Sequence, residues 1–464
     1  MSLPATGFQL GPIRLPQGWQ FAGLISAIAL GLALQAYRGS PLGIVALVVV
    51  LLFAAAIEIP ALGTIPLIVT MASVRLGAMS ANVGGVPLTA SKLAMGGLIA
   101  VVVSRWVTGR HRAQPFHALT LPMAAVLGSM TFAYFVRVEE DIGDVGRIGL
   151  LTAWMLVIMV HVVPLAVDAF AIRRVGAFFA VTMWLAVVVA PFVALADSDE
   201  RRTEGWFGDP NQLCSMVLLS TLTALGVATA VTSTWQRRAL SVLVAASAPF
   251  VVLQTGSRGG FIMILACAPL YLRMVRKDVG VLVLTVPLAL LAAAWNSNDL
   301  EYLMTRYNAL WSEQVWGPET GEGVDSIEGR MLFQRLAWNE FLAHPLSGIG
   351  LGGFHAVSMD YFPGMSPRDT HNSISKFTVE QGLVGVVTHS WLAWSLFRMV
   401  RETLSRPIPP WHYQMVLGAS FGIVGWTLMN LTIGDLMQNA IAWFVIGLLV
   451  ILHRASELQP ETPA

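Results

Sequence analysis

Charge is what this sequence has least of. Lys, Arg, Asp and Glu make up 12% of its 464 residues while 55% are hydrophobic, and mean hydropathy is +0.67. A soluble domain of that balance would expose large apolar patches, so a soluble globular class is excluded. Cysteine is also scarce. Cys214 and Cys267 both lie in apolar runs, which excludes a disulfide framework and a thiolate metal site and leaves two buried structural thiols. No glycine-rich phosphate loop follows a predicted strand, so a nucleotide-binding engine has no support. No internal repeat, heptad run or low-complexity segment is present. The first residues lack the short apolar core and small-residue cleavage site of a signal peptide, and Trp19 onward reads as the interfacial start of a first span. The net charge of +1 carries no information about partners, because in a membrane protein the distribution of Lys and Arg matters and their sum does not. No nucleic-acid partner is expected.

What is present is a series of apolar runs. Measured against the roughly 20 residues that cross a bilayer, spans are expected near 20–37, 42–57, 61–77, 87–107, 116–135, 147–167, 175–195, 211–232, 238–254, 259–274, 279–295, 372–398, 411–430 and 433–452. Backbone groups in lipid must be satisfied internally, so these runs are helices. The fold class is therefore all-α, a polytopic membrane protein of about 12 to 14 spans. Arg105, Arg110 and Arg112, then Arg173 and Arg174, Arg237 and Arg238, Arg273, Arg276 and Lys277, Arg398, Arg401 and Arg406, and finally Arg454 cluster on every second connection. Those connections are expected to be cytoplasmic, with both termini inside and the acidic or mixed loops outside.

One outer interval, residues 296–371, leaves the apolar phase for about 75 residues, far beyond an ordinary connection. It is expected to hold helices at 299–313 and 326–343, the latter lying along the membrane surface. Arg330, Gln334 and Trp338 share one face of that helix, and Phe333, Ala337 and Phe341 form an adjacent stripe. His344-Pro345 ends it, and the glycines from Gly348 to Gly353 make a turn or bulge.

The candidate chemistry lies on this outer side. Arg258, in Thr255-Gly256-Ser257-Arg258-Gly259-Gly260, is a phosphate-clamp candidate because a guanidinium fork matches phosphate oxygens and an arginine at a span end is expensive. Its bland alternative is snorkelling to lipid headgroups. Arg330 and Arg335 are further candidates for substrate binding, against a solvated surface role for each. Asn211 follows Asp209-Pro210, a complete helix start in itself, and reads as a sugar or phosphate contact only alongside the others. His371, followed by Asn372 at the start of a span and by Glu380 about two turns on, is the candidate acid/base group, against a cap or interface role. Asp360 and Asp369 raise a metal or paired-carboxylate alternative that nothing else in the sequence supplies with ligands. His344 reads as structural.

At these residues the sequence resembles the O-antigen ligase/polymerase superfamily of bacterial polysaccharide assembly, which includes lipopolysaccharide O-antigen ligases and Wzy-type polymerases. Gly208-Asp209-Pro210-Asn211, Ser257-Arg258-Gly259-Gly260, Gly329-Arg330 leading to His344-Pro345-Leu346-Ser347-Gly348-Ile349-Gly350, and His371-Asn372-Ser373 with Glu380-Gln381-Gly382-Leu383-Val384-Gly385 occur in the family's order, over roughly residues 205 to 400. The resemblance implies a GT-C-like helical fold and an inverting, metal-independent transfer with no cofactor. Glycan moves from an undecaprenyl-diphosphate-linked donor to a sugar hydroxyl on a second glycan or on lipid A-core, outside the inner membrane. Arg258 and Arg330 then hold the donor diphosphate, Arg335, Asn211 and Asn372 contact substrate, and His371 assists the acceptor hydroxyl. Membrane lipids, a flippase and a chain-length regulator are the implied partners. Where the family often carries Trp one turn after the Gly-Arg arginine, this chain has Gln334, with Trp338 a turn later.

The resemblance divides the chain into N-terminal spans (1–170), a ligase-related core (171–400) that includes the long interval, and C-terminal spans with a tail (401–464). Polymerisation of O-antigen or exopolysaccharide repeat units is the expected act and ligation to lipid A-core the alternative. A transporter or flippase would instead favour ionisable groups at mid-membrane depth, for which Glu58, His161, Glu380 and Asp435 are partial candidates. A structural scaffold is the third reading.

Overall fold

With so few polar side chains to satisfy a backbone in lipid, each apolar run must close its own hydrogen bonds, and helices dominate. The structure, a computed structural model, describes residues 80–83, 86–107, 116–136, 143–166, 210–230, 234–255, 327–361, 369–433 and 440–458, together with a few isolated positions. Strands β1 (Ser80–Val83) and β2 (Val86–Thr89) precede helices α1 (Ala90–Val107), α2 (Thr120–Phe135), α3 (Gly143–Ala166), α4 (Pro210–Thr229) and α5 (Thr234–Thr255). After these come α6 (Ile327–Ala343), α7 (Gly353–Tyr361), α8 (Ser373–Ser405), α9 (Pro410–Ile433) and α10 (Ala440–Leu458). Among the described residues five helices, α3, α4, α8, α9 and α10, are long and apolar enough to cross a membrane, and α2 and part of α1 are shorter apolar helices. The chain is an all-α polytopic membrane protein. The runs expected at 20–37, 42–57, 175–195 and 279–295, the helix expected at 299–313, all of 61–77 but Thr64 and most of 259–274 lie outside the described residues.

The fourth expected span needs correction. Residues 86–89 form a strand, antiparallel to β1 with Ser80 opposite Thr89 and Val83 opposite Val86, and the helix begins only at Ala90. Gly84-Gly85 between two four-residue runs is the composition of a tight hairpin, and Pro87 cannot donate the amide that a helix interior needs.

Glycine sets the tightest helix pair. Gly418, Gly422 and Gly425 share one face of α9, and a Cβ on Gly226 of α4 would come within 2.7 Å of Gln414 O. Small residues at such spacing let two backbones approach in an apolar solvent, where packing replaces the hydrophobic effect as the force between helices. Along the contact, Gly226 meets Gly418, Leu219 meets Gly422 and Leu218 meets Gly425, so the pair is antiparallel. Hydroxyls inside these helices bond back one turn, Ser220 to Met216 O at 2.8 Å and Thr223 to Leu219 O at 2.8 Å.

One continuous buried core joins α1 to α5 with α8, α9 and α10. At one end of this bundle α8 ends, α9 begins and α10 ends. There Arg406 donates to Ser456 Oγ at 2.6 Å and pairs with Glu457 at 3.2 Å. Arg237 and Arg238 open α5 at that same end, and Arg398, Arg401 and Arg454 lie in the last turns of α8 and α10. His161 also sits toward this end, in the last turns of α3, with Nε2 3.0 Å from Thr120 Oγ1. The opposite end holds the start of α8 and the whole of α6, α7 and the glycine-rich loop between them.

Candidate functional site

A helix that breaks inside an apolar bundle leaves carbonyls without partners, and something must supply them. Helix α8 breaks at Gly382, whose φ of 62° and ψ of −157° interrupt an otherwise continuous helix. The loop 344–353 fills the break. Ile349 N donates to Val379 O at 2.9 Å and Gly350 N to Glu380 O at 3.1 Å, while Leu383 N donates to Pro345 O at 2.8 Å. Glycine is required on both sides of this crossing. Gly348, Gly350 and Gly352 have φ of 68°, 97° and 83°, and a Cβ on Gly382 would lie 2.6 Å from the Gly348 amide nitrogen. The turn expected at these glycines is thus a strap laid across a broken helix. Leu351 N reaches Ala133 O at 3.3 Å and anchors the strap to α2. Gln381 Oε1 accepts from Ser129 Oγ of α2 at 2.9 Å. Glu380, beside the break, is 2% exposed.

The short first segment of α8 starts from a tightly tied turn. Asn372 is extended and its side chain accepts from Ile374 N at 2.9 Å and Ser375 N at 3.2 Å, an N-cap. Asp369 accepts from Thr370 N at 2.7 Å and pairs with Lys376 at 2.7 Å. Thr370, fully buried, donates its hydroxyl to Asn372 O at 2.9 Å. Ser373 Oγ donates to Asn430 O at 3.0 Å and docks the turn onto α9. Between Thr370 and Asn372 stands His371, with φ of 51°, the one non-glycine residue in the left-handed region among the described residues. A side chain held there costs conformational energy that its surroundings must repay, and such positions concentrate at functional sites.

Helix α6 lies against this turn. Phe333, Leu336 and Ala337 are buried with Ile349, Phe354 and Val379 in a second, smaller core. The Phe333 ring centroid is 6.2 Å from that of His371. Gln334 Nε2 donates to Thr370 O at 2.6 Å, and its Oε1 accepts from Ser375 Oγ. The outward face of α6 exposes Met331, Leu332, Trp338 and Leu342 beside Arg335 and Asn339, a mixture of apolar and polar side chains which suits a helix resting at a membrane surface.

The candidates therefore divide. Arg330 stands one turn before Gln334, half-buried, its Nε enclosed and without a hydrogen-bond partner among the described residues. His371 and Arg330 are thus brought to one unit. Asn211 is half-buried in the first turn of α4, and the antiparallel register with α9 carries it to the end where Asn430 meets Ser373. Asn372 is engaged as a cap through its side-chain oxygen, and Arg335 is exposed. Asp360 is exposed and Asp369 is occupied by Lys376, so the paired-carboxylate alternative gains nothing here. His344 follows α6, and its backbone carbonyl accepts from Gly348 N at 3.0 Å. Arg258 lies outside the described residues, three positions beyond the buried end of α5 at Thr255.

Sequence reasoning missed His355. It lies in α7, partly buried, and feels Asp369 and Lys376 beside the turn. Burial lowers its pKa most, Asp369 raises it and Lys376 lowers it further, leaving it below the ordinary histidine value. A His in a nine-residue helix between two polar stretches offered no periodicity to single it out. The folded state thus holds His355 neutral where an unfolded chain begins to bind a proton, so it withdraws stability as pH falls below about 6.5. Thermal melting of full-length protein measured stepwise from about pH 7 to about pH 5 is expected to fall less steeply for His355→Gln than for the parent.

Residues 240–390 match the family model described as O-Antigen ligase. The matched segment takes in α6, α7, the strap, the His371 turn and the break at Gly382, as well as Arg258, and it leaves out Asn211. No curated protein matches the chain.

Proposed function

The O-antigen ligase match at residues 240–390 supports a multi-pass bacterial membrane glycosyltransferase of the O-antigen ligase/polymerase type, and on that premise we propose that this chain moves a glycan from a polyprenyl-diphosphate donor onto a sugar hydroxyl at the periplasmic face. The observation that carries the reading is the docking of α6 on the His371 turn, which gathers a guanidinium with an enclosed nitrogen and a conformationally forced imidazole into one unit. Charge supports this facing. Among the described residues Arg237, Arg238, Arg398, Arg401, Arg406 and Arg454 gather at the end of the bundle away from the site, which supports placing that end in the cytoplasm.

In this reading the neutral His371 imidazole takes the proton of the acceptor hydroxyl as the oxygen bonds to the anomeric carbon. The bond from that carbon to the donor phosphate breaks in the same step, and the diphosphate leaves with the electron pair. Arg330 and Arg258 stabilise the charge gathering on it. A single displacement inverts the anomeric centre. Repeat-unit polymerisation is the act we assign; the description of the matched family favours transfer to lipid A-core as the second reading.

The test is fate of the donor bond. Full-length protein in vesicles, given a glycan on polyprenyl diphosphate, is expected to release free polyprenyl diphosphate together with lengthened or transferred glycan. Arg330→Lys, which keeps the charge and loses the fork, is expected to lower kcat/KM by about 10-fold or more, and Arg330→Ala further. Glycan crossing the vesicle with its donor bond intact would instead make this chain a transporter. Unchanged kcat/KM in both arginine variants would remove the clamp.

A further inference from the structure

We propose that Gln334 is a positioning residue that sets the direction of the His371 imidazole, an inference that rests on His371 being the acid/base group. Its amide reaches across from α6 and bonds on both sides of that residue, to the carbonyl of Thr370 before it and to the hydroxyl of Ser375 after it. The two contacts fix the amide's own orientation. Nε2 must face Thr370 O, since a carbonyl can only accept, and Oε1 then takes the Ser375 hydroxyl.

The polar contacts are additional to what holds the elements together. Phe333, Leu336 and Ala337 already seat α6 on Val379 of α8 and on Ile349 and Phe354 of the strap. Lys376 and Asp369 close the turn from its other side, and Asn372 caps the helix. The Asp369–Lys376 pair also spans His371, but through two side chains of that same segment and helix, and it leaves the carbonyl next to His371 untouched. Gln334 spans the turn from the facing helix α6 and takes the Thr370 carbonyl itself, at the residue whose φ of 51° leaves its side-chain direction most dependent on its neighbours. An imidazole must be held within about 0.5 Å of its working position to take a proton in step with bond formation, and a 1 Å error costs about 100-fold.

Leucine at this position keeps the volume and removes both bonds. With donor and acceptor supplied to full-length protein in vesicles, Gln334→Leu is expected to lower kcat by about 100-fold, leave donor KM within about 2-fold and leave the protein folded, melting somewhat below the parent because the Thr370 carbonyl loses its donor. Gln334→Glu supplies the sharper readout. Its carboxylate accepts from Ser375 but repels Thr370 O, whereas the neutral carboxyl, favoured by burial against a carbonyl, donates as the amide did. The ratio of Gln334→Glu to parent activity is therefore expected to climb as pH falls from about 7.5 to about 5. A flat ratio, or wild-type kcat in Gln334→Leu, overturns the proposal. His371→Ala run alongside separates the two levels. If it is inactive while Gln334→Leu is normal, the positioning role of Gln334 alone fails; if it is active, the reading of His371 as the acid/base group fails too. Should Gln334→Leu not fold, the pH ratio of Gln334→Glu decides.

Discussion

His371→Ala is expected to reduce glycan transfer by about 10²–10⁴-fold, the range a positioned general base contributes, while the protein still extracts and melts like the parent. A sugar hydroxyl is a weak nucleophile, and removing the imidazole leaves only proximity and the diphosphate clamp to drive the reaction. Folding is expected to survive. The side chain is half-buried at a turn held by Asn372, Thr370 and the Asp369–Lys376 pair, none of which needs the ring. His371→Gly relaxes the φ of 51° and is expected to be at least as stable as His371→Ala and equally inactive, which separates the chemical role from the conformational one. Release of free polyprenyl diphosphate over time, beside a melting curve for each variant, checks both halves.

Gly382→Ala is expected to be the most damaging single change on the structural side. Its φ and ψ of 62° and −157° fall in a region essentially reserved for glycine, at a cost of about 1–3 kcal/mol for any other residue. The added Cβ would also stand 2.6 Å from the Gly348 nitrogen, forcing the strap off the helix and leaving the Val379 and Glu380 carbonyls unpaired beside a buried carboxyl. Each lost bond in such surroundings costs about 1–3 kcal/mol. Melting of the full-length chain in detergent is expected to fall sharply. Gly348→Ala, on the facing backbone, is expected to do the same, and the double variant to add little because both break one crossing. Wild-type melting in either variant would mean that the strap and the break are not coupled.

How much of this was legible beforehand follows from which signals are local. The 3.6-residue apolar pattern from Phe333 to Phe341 and the His-Pro stop behind it place α6 to within a residue of its observed start, and the glycines after it announce a turn. What the turn crosses is not local. Nothing in Gly348-Ile349-Gly350 names Val379 and Glu380 as its partners, because hydrogen bonds between backbones carry no side-chain signature. The run from 372 likewise reads as one span, and the single glycine at 382 in a helical pattern gives no warning of a break. Gln334 was visible as a departure from the family's Trp, but its purpose depends on Thr370 and Ser375, about 40 residues downstream. His355 left no trace because its neighbours come from a different segment. The strand at Val86–Thr89 was misread because a short apolar run ahead of a helix looks like the helix's own beginning.

The central proposal is spatial: Arg258, three positions beyond the end of α5 at Thr255, is expected to share one site with His371. With Cys214 and Cys267, both buried, replaced by alanine, the full-length pair Arg258→Cys and His371→Cys can be treated with a short bifunctional thiol reagent in membranes. The account predicts an intramolecular cross-link that polyprenyl diphosphate protects against, and none for Arg238→Cys paired with His371→Cys, since Arg238 opens α5 at the opposite end. Two thiols at 258 and 371 that each react with maleimide yet never join would contradict it.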